Sequence, residues 1–147
     1  MTNEEQTVIN AARAILSRRV RRGAEMSSPT MVRNFLILKL GDRDAESFCV
    51  LFLDNRHRVI EFREMFQGTI DGAGVYPREV VKTALQLNSA AVILAHNHPS
   101  GVAEPSVADE MITKRLQSAL ALVDIRTLDH CIVAGGEVVS LAERGIL

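Results

Sequence analysis

This sequence predicts an α/β fold built on one mixed β-sheet flanked by helices. Three observations carry that prediction. Apolar strand-like runs alternate with stretches of helical periodicity. One run, Ala90 to Ala95, shows no polar position and reads as a strand buried on both faces. Two turn signals, Asp54-Asn55 and Gly135-Gly136, join neighbouring runs as antiparallel pairs. The 147 residues suit one domain whose core needs no staples.

The elements follow in order. Thr2-Asn3-Glu4-Glu5 reads as a capping box, and Val8, Ala12, Ile15, Leu16 and Val20 then recur at helical spacing. The run Arg18-Arg19-Val20-Arg21-Arg22 ends this helix at Gly23, and Gly23 to Ser27 reads as a linker. Residues 1–27 are therefore taken as a helix and linker, ahead of a domain over 28–147. Ser28-Pro29 is a cap followed by proline in the first turn, opening a helix that stops at Gly41. Ser47 to Leu53 and Arg58 to Phe62 form the arms of a hairpin, and Gln67 to Gly74 reads as strand edge and then loop. Pro77 begins a third helix with Val80, Val81, Ala84, Leu85 and Leu87 as its apolar set. The Ala90–Ala95 strand follows. A fourth helix starts near Ser106 with Met111, Ile112, Leu116, Ala119 and Leu120 inward, then a strand lies within Ile125–Ala134, and Val138-Val139 returns. The tail from Ser140 has room for one helical turn.

Composition excludes several classes. The formal net charge of −1 provides no field that would draw the chain to nucleic acid or an anionic membrane. The longest uninterrupted apolar run is far short of the roughly 20 residues a membrane helix needs. The N-terminus is polar and acidic where a secretory signal would be basic and then apolar, so a cytoplasmic location is expected. Cys49 and Cys131 lie in apolar strand-like runs without Cys-x-x-Cys spacing, and are read as buried free thiols.

Chemistry concentrates where the apolar strand ends, in His96-Asn97-His98-Pro99-Ser100-Gly101. Ligands gather beyond the C-terminal ends of strands in α/β sheets. In extended chain, residues two apart point to one side, so His96 and His98 can share a metal ion at about 2.0–2.1 Å each. Asp109 falls in the first turn of the next helix, and a helix packed back on the sheet could bring it over the strand end as a third, oxygen ligand. Three protein ligands leave a position for water, the mark of a catalytic zinc site, where zinc lowers the water's pKa toward roughly 7. The plainer readings are surface histidines and, for Ser106 to Asp109, a helix cap; a cap would also fix the geometry of Asp109. The string His-Asn-His spells the name of a nuclease family, but those enzymes draw the three residues from positions spread over a ββα unit.

His96-x-His98-Pro99 followed by Ser106-x-x-Asp109 resembles the signature of the JAMM (MPN+) metalloproteases. The fuller string through Gly101, with Pro105-Ser106, looks like the RadC branch, in which Asn97 stands where JAMM peptidases have Ser or Thr. Glu46-x-Phe48, Gly68-Thr69, Pro77-Arg78-Glu79 and Asp129-His130 extend the similarity, which is closest to short prophage-type RadC-like proteins. The resemblance implies a cytidine-deaminase-like α-β-α architecture and one zinc ion per chain on His96, His98 and Asp109. It also implies Ser106 as a donor to the oxyanion and Glu46 as general base. Glu61, Glu64 and Glu79 are the other nearby candidates for that base. The implied reaction is hydrolysis of a peptide or isopeptide-like amide, with no membrane partner.

Full-length RadC proteins carry an N-terminal helix-hairpin-helix region associated with DNA. Residues 1–45 are too few for it and lack its glycine hairpin, which leaves the DNA association without its usual module. A DNA-associated factor or metal-dependent nuclease remains as an alternative, suggested by Arg18 to Arg22, whose plainer reading is a solvated helix end complementing the helix dipole. A non-catalytic interaction domain is a third reading, and the complete ligand set argues against it. His130 is read first as a histidine satisfied by local hydrogen bonds, with support of the metal ligands as the alternative. His57 is expected to be exposed in the hairpin turn.

Overall fold

The computed structural model describes residues 1–19, 23, 25–26, 28–68 and 74–147, without the side chains of Ser17 and Arg19. Val20, Arg21 and Arg22, which include two of the four arginines of the cluster, lie outside the described residues, as does the loop Thr69 to Ala73. Along the chain run α1 (Asn3–Arg19), α2 (Pro29–Leu40), β1 (Ser47–Leu53), β2 (Val59–Gln67) and α3 (Pro77–Gln86). Then come β3 (Ala91–Asn97), α4 (Val107–Ala121), β4 (Arg126–Ala134) and β5 (Glu137–Ser140). The strands form one sheet in the order β2-β1-β3-β4-β5. β3 and β4 are parallel, joined across α4, and every other pairing is antiparallel. The mixed sheet expected from the sequence is therefore present.

Strand alternation divides the core into two layers. Cys49, Leu51 and Leu53 of β1, Ala91, Ile93 and Ala95 of β3, and Cys131 and Val133 of β4 pack with Val32, Phe35, Leu36 and Leu40 of α2. Phe48, Val50, Phe52, Val92 and Leu94 pack on the other face with Val80 and Ala84 of α3 and Ile112, Leu116 and Leu120 of α4. β1 and β3 are buried along their whole length, which is why their sequences show no polar alternation. Both cysteines are buried and free, as expected. No helix among the described residues is long and apolar enough to cross a membrane.

Local chemistry fixes the boundaries. Thr2 and Glu5 close the capping box, with Glu5 N–H donating to Thr2 Oγ1 (3.1 Å) and Thr2 N–H to Glu5 Oε1 (3.0 Å). Ser28 caps α2. α2 ends before Gly41, a position that requires glycine because a Cβ there would lie 2.5 Å from the carbonyl oxygens of both Gly135 and Ile37. The turn between β1 and β2 is held by Asp54, whose Oδ1 accepts from the N–H groups of Arg56 (2.8 Å) and Arg58 (2.9 Å). His57 takes a left-handed conformation in that turn (φ 59°). It is half-buried instead of exposed, because Gly23, Glu25 and Met26 lie alongside the hairpin. Gly23 N–H donates to Val59 C=O (2.7 Å) and Met26 N–H to His57 C=O (2.8 Å).

Several facings differ from those expected. Val8 and Ile15 are exposed. α1 rests on α2 through half-buried Ile9, Ala12 and Leu16, with Arg13 Nε donating to Leu38 C=O (2.7 Å), so its inner stripe is rotated from the expected one. Leu85 and Met111 also face solvent; Thr83 and Thr113 take inward positions instead. β2 extends to Gln67, beyond the expected end at Phe62, because its charges find partners: Glu61 pairs with Arg63, and Glu64 with Arg43 (2.6 Å).

Candidate metal centre

The site forms where β3 ends, on the face shared with α4. Phe48, His96 and Ile132 are neighbours across β1, β3 and β4. His98 continues the ladder one step beyond the strand, its N–H donating to Val133 C=O (2.8 Å). The two rings therefore face one way, as the i, i+2 spacing requires, and their Nε2 atoms are 3.0 Å apart. The chain then turns at once, with Gly101 N–H donating to His98 C=O (3.1 Å) at a left-handed glycine (φ 87°). This turn places Val102 C=O 2.8 Å from His98 Nδ1. A carbonyl only accepts, so Nδ1 carries the hydrogen and Nε2 keeps its lone pair.

Asp109 reaches the histidines through the cap of α4. Asp109 N–H donates to Ser106 Oγ (3.0 Å), and Ser106 N–H donates to Asp109 Oδ2 (2.8 Å). This reciprocal capping box leaves Oδ1 3.0 Å from His96 Nε2 and Oδ2 3.1 Å from His98 Nε2. The carboxyl is buried. Burial alone would raise its pKa, but with no metal bound, a second hydrogen on His96, at Nε2, supplies a hydrogen bond and a charge that, with the bonds from Ser106, outweigh that and hold it well below the ordinary carboxylate range. Ser106 is exposed, and its hydroxyl, while accepting from Asp109, still has a proton to donate.

Glu46 precedes β1 and shares the face of Phe48. Its carboxylate and the ring nitrogens of His96 and His98 lie within 4.8 Å of one another, a group able to hold a metal ion. Asn97, between the two histidines, fixes this approach. Its Oδ1 accepts from Ser47 N–H (2.7 Å) and its Nδ2 donates to Ala45 C=O (3.0 Å), so it binds the backbone on both sides of Glu46. Glu46 C=O accepts from Gly68 N–H (2.9 Å). The alternative acids lie elsewhere. Glu64 pairs with Cys49 on the opposite face of the sheet, Glu61 sits beside Phe52 further along β1, and Glu79 faces Lys82 (3.9 Å) on α3.

The donor set fits a zinc ion. Nε2 of His96 and Nε2 of His98 are 3.0 Å apart, and each lies 3.0–3.1 Å from a different oxygen of the Asp109 carboxylate. A tetrahedral shell at about 2.0–2.1 Å separates its ligand atoms by about 3.3–3.4 Å, near the spacing of the two ring nitrogens. The carboxylate and two imidazoles match the ligand chemistry of an open zinc site.

His130 is not satisfied only by local bonds. Its backbone N–H donates to Asp129 Oδ1 (2.7 Å), but its fully buried ring lies beneath the site, with Nε2 2.8 Å from His96 Nδ1 and Nδ1 2.5 Å from Thr113 Oγ1. Burial first, then the neighbouring histidines, holds its pKa well below the usual value and keeps the ring neutral. Thr113 and the bracketing by Asn97 were missed from sequence. Thr113 stands four residues after Asp109, the spacing at which a helical threonine bonds the preceding turn, and that was the available signal.

Known proteins agree with this architecture. A family model described as the RadC-like JAB domain matches residues 26–146. A UPF0758 protein of Marinobacter nauticus is 58% identical over 142 residues, covering 97% of this chain and 63% of its own length. One from Thioalkalivibrio sulfidiphilus is 61% identical over the same coverage, and one from Vibrio vulnificus is 59% identical over 95% of this chain and 62% of its own. The chain thus spans less than two thirds of the curated relatives it matches. On the family match and these identities, the chain belongs to the RadC-like JAB domain family.

Proposed function

We propose that this domain is a zinc-dependent hydrolase that cleaves an amide of a peptide or isopeptide, with His96, His98 and Asp109 as metal ligands. The observation that carries the reading is the convergence of those three side chains, with contacts of 3.0–3.1 Å, beside the Glu46 carboxylate. Zinc held there would lower the pKa of water and polarise a carbonyl. Glu46 accepts the proton of the attacking water and returns it to the leaving nitrogen as general base and then acid. The Ser106 hydroxyl donates to the carbonyl oxygen as it gains negative charge. Family membership supports metal-dependent hydrolysis in general; the choice of zinc and of a peptide-like amide rests on the ligand types and on the resemblance to JAMM peptidases.

The test measures zinc by elemental mass spectrometry, then hydrolysis of a panel of peptides and isopeptide-linked conjugates. The wild type is expected to hold one zinc per chain, and Asp109→Ala to lose it. Glu46→Gln is expected to keep the zinc and lose about 10²–10⁴-fold in rate. A wild type that takes up no zinc when it is offered overturns the reading; a Glu46→Gln variant of full activity overturns only the role of the base.

A further inference from the structure

We infer that Thr113, acting through His130, is a positioning residue that fixes the hydrogen of His96 on Nδ1 and turns the lone pair of Nε2 toward the metal position. The inference rests on the metal reading above.

The argument begins at a hydroxyl. Thr113 lies one turn after Asp109 on α4, and its Oγ1 is 2.6 Å from Asp109 C=O. That carbonyl only accepts, so the Thr113 hydrogen points to it. The lone pairs of Oγ1 then face His130 Nδ1 at 2.5 Å, and Nδ1 has to carry a hydrogen. The His130 ring is fully buried, and its nitrogens meet a hydroxyl and a second imidazole. In the neutral ring that such surroundings favour, Nε2 has only a lone pair. That lone pair lies 2.8 Å from His96 Nδ1, which therefore carries the hydrogen. The remaining nitrogen of His96, Nε2, is the one beside His98 and Asp109. Each hydrogen is dictated by the one before it, starting from a backbone carbonyl that cannot donate.

The relay also joins the ligands mechanically. It starts at the backbone of Asp109 on α4, passes through β4 and ends on the ring of His96 in β3. Phe48 closes the space around both rings, at 5.5 Å from His130 and 6.1 Å from His96. His98 needs no such chain, because Val102 C=O sets its hydrogen directly. Two ligands with one tautomer are thus prepared by two different devices, one local and one spanning three elements.

The experiment compares wild type, Thr113→Val and Thr113→Ser in two measurements. The first is zinc affinity by competition with a chromophoric chelator. The second is the position of the ring hydrogens in zinc-loaded protein, by long-range ¹H–¹⁵N NMR. Valine keeps the shape and removes the hydroxyl; serine keeps the hydroxyl. Thr113→Val is expected to bind zinc 10–100-fold more weakly, the usual effect of losing an outer hydrogen bond to a ligand, with an unchanged circular dichroism spectrum. Thr113→Ser is expected within about threefold of wild type. Wild type is expected to show hydrogens on Nδ1 of both His96 and His130. Thr113→Val with wild-type affinity, or a serine variant as weak as valine, overturns the relay while leaving the metal centre standing. A hydrogen on Nε2 of His130 in wild type overturns it without any variant. A wild type without zinc overturns the metal reading, and the relay with it.

Discussion

Asn97 is the residue on which the proposed base depends. It is buried, and both of its polar atoms are spent on the backbone flanking Glu46. Truncation would leave the buried Ser47 N–H without its partner, while Ala45, which is exposed, can turn its carbonyl to water. One such buried group costs about 1–3 kcal/mol, so Asn97→Ala is expected to lose roughly that much in urea unfolding while still holding one zinc per chain, since no ligand is touched. Loss of zinc together with unchanged stability would contradict this division of labour. The same residues mark how far the site was legible. His96, His98 and Asp109 could be brought together on paper, because strand alternation and helix capping fix directions within a few residues. Glu46 required the resemblance, since nothing local to it signals a role. The contact of His130 with His96 was not readable, because it is made between separate elements and depends on the register of β3 against β4.

Among the elements, α4 serves both core and site. Its cap aims Asp109, its second turn supplies Thr113, and Ile112, Leu116 and Leu120 bury the helix against the sheet. Leu116 is fully buried, whereas Met111 is 62% exposed. Leu116→Ala is expected to cost about 2–5 kcal/mol through lost burial and a cavity, and Met111→Ala to stay within about 0.5 kcal/mol of wild type. Chemical denaturation of the two variants side by side checks this, and comparable costs would show Met111 to be a packing residue. This pair also explains which parts of the fold the pattern could specify. The β1 and α2 boundaries were legible because an apolar run, a cap and a stop coincide there. Facing was harder: a 3.6-residue period defines a broad stripe, and the neighbour that covers it selects the axis. Val8, Ile15, Leu85 and Met111 all lie at the margin of such a stripe. The length of β2 was hidden by charges that pair along and across an edge of the sheet.

At the scale of the whole molecule, the layer between the sheet and α2 makes stability fall on the alkaline side. Cys49 and Cys131 both lie in it. Burial first, then the nearby Glu64 charge, pushes the Cys49 thiol up to about 12. Burial and the Asp129 carboxylate likewise raise Cys131. An unfolded thiol ionises near 8.5. Below that pH both states are protonated and the thiols leave stability unchanged. Above it the unfolded chain loses protons that the native chain retains, so each thiol lowers stability by up to about 1.4 kcal/mol per pH unit until its native pKa is passed. Urea unfolding of metal-free protein in reductant, from pH 7.5 to 10, is expected to show this decline. The double variant Cys49→Ala, Cys131→Ala starts from a less stable protein, because two buried groups are removed, but its profile is expected to be flatter over the same interval. Equal slopes would mean that the two thiols are already accessible to solvent in the native state. The same argument predicts that thiol reagents label the native protein slowly at pH 8, since the reactive species is the thiolate, and that labelling accelerates with urea in step with global unfolding.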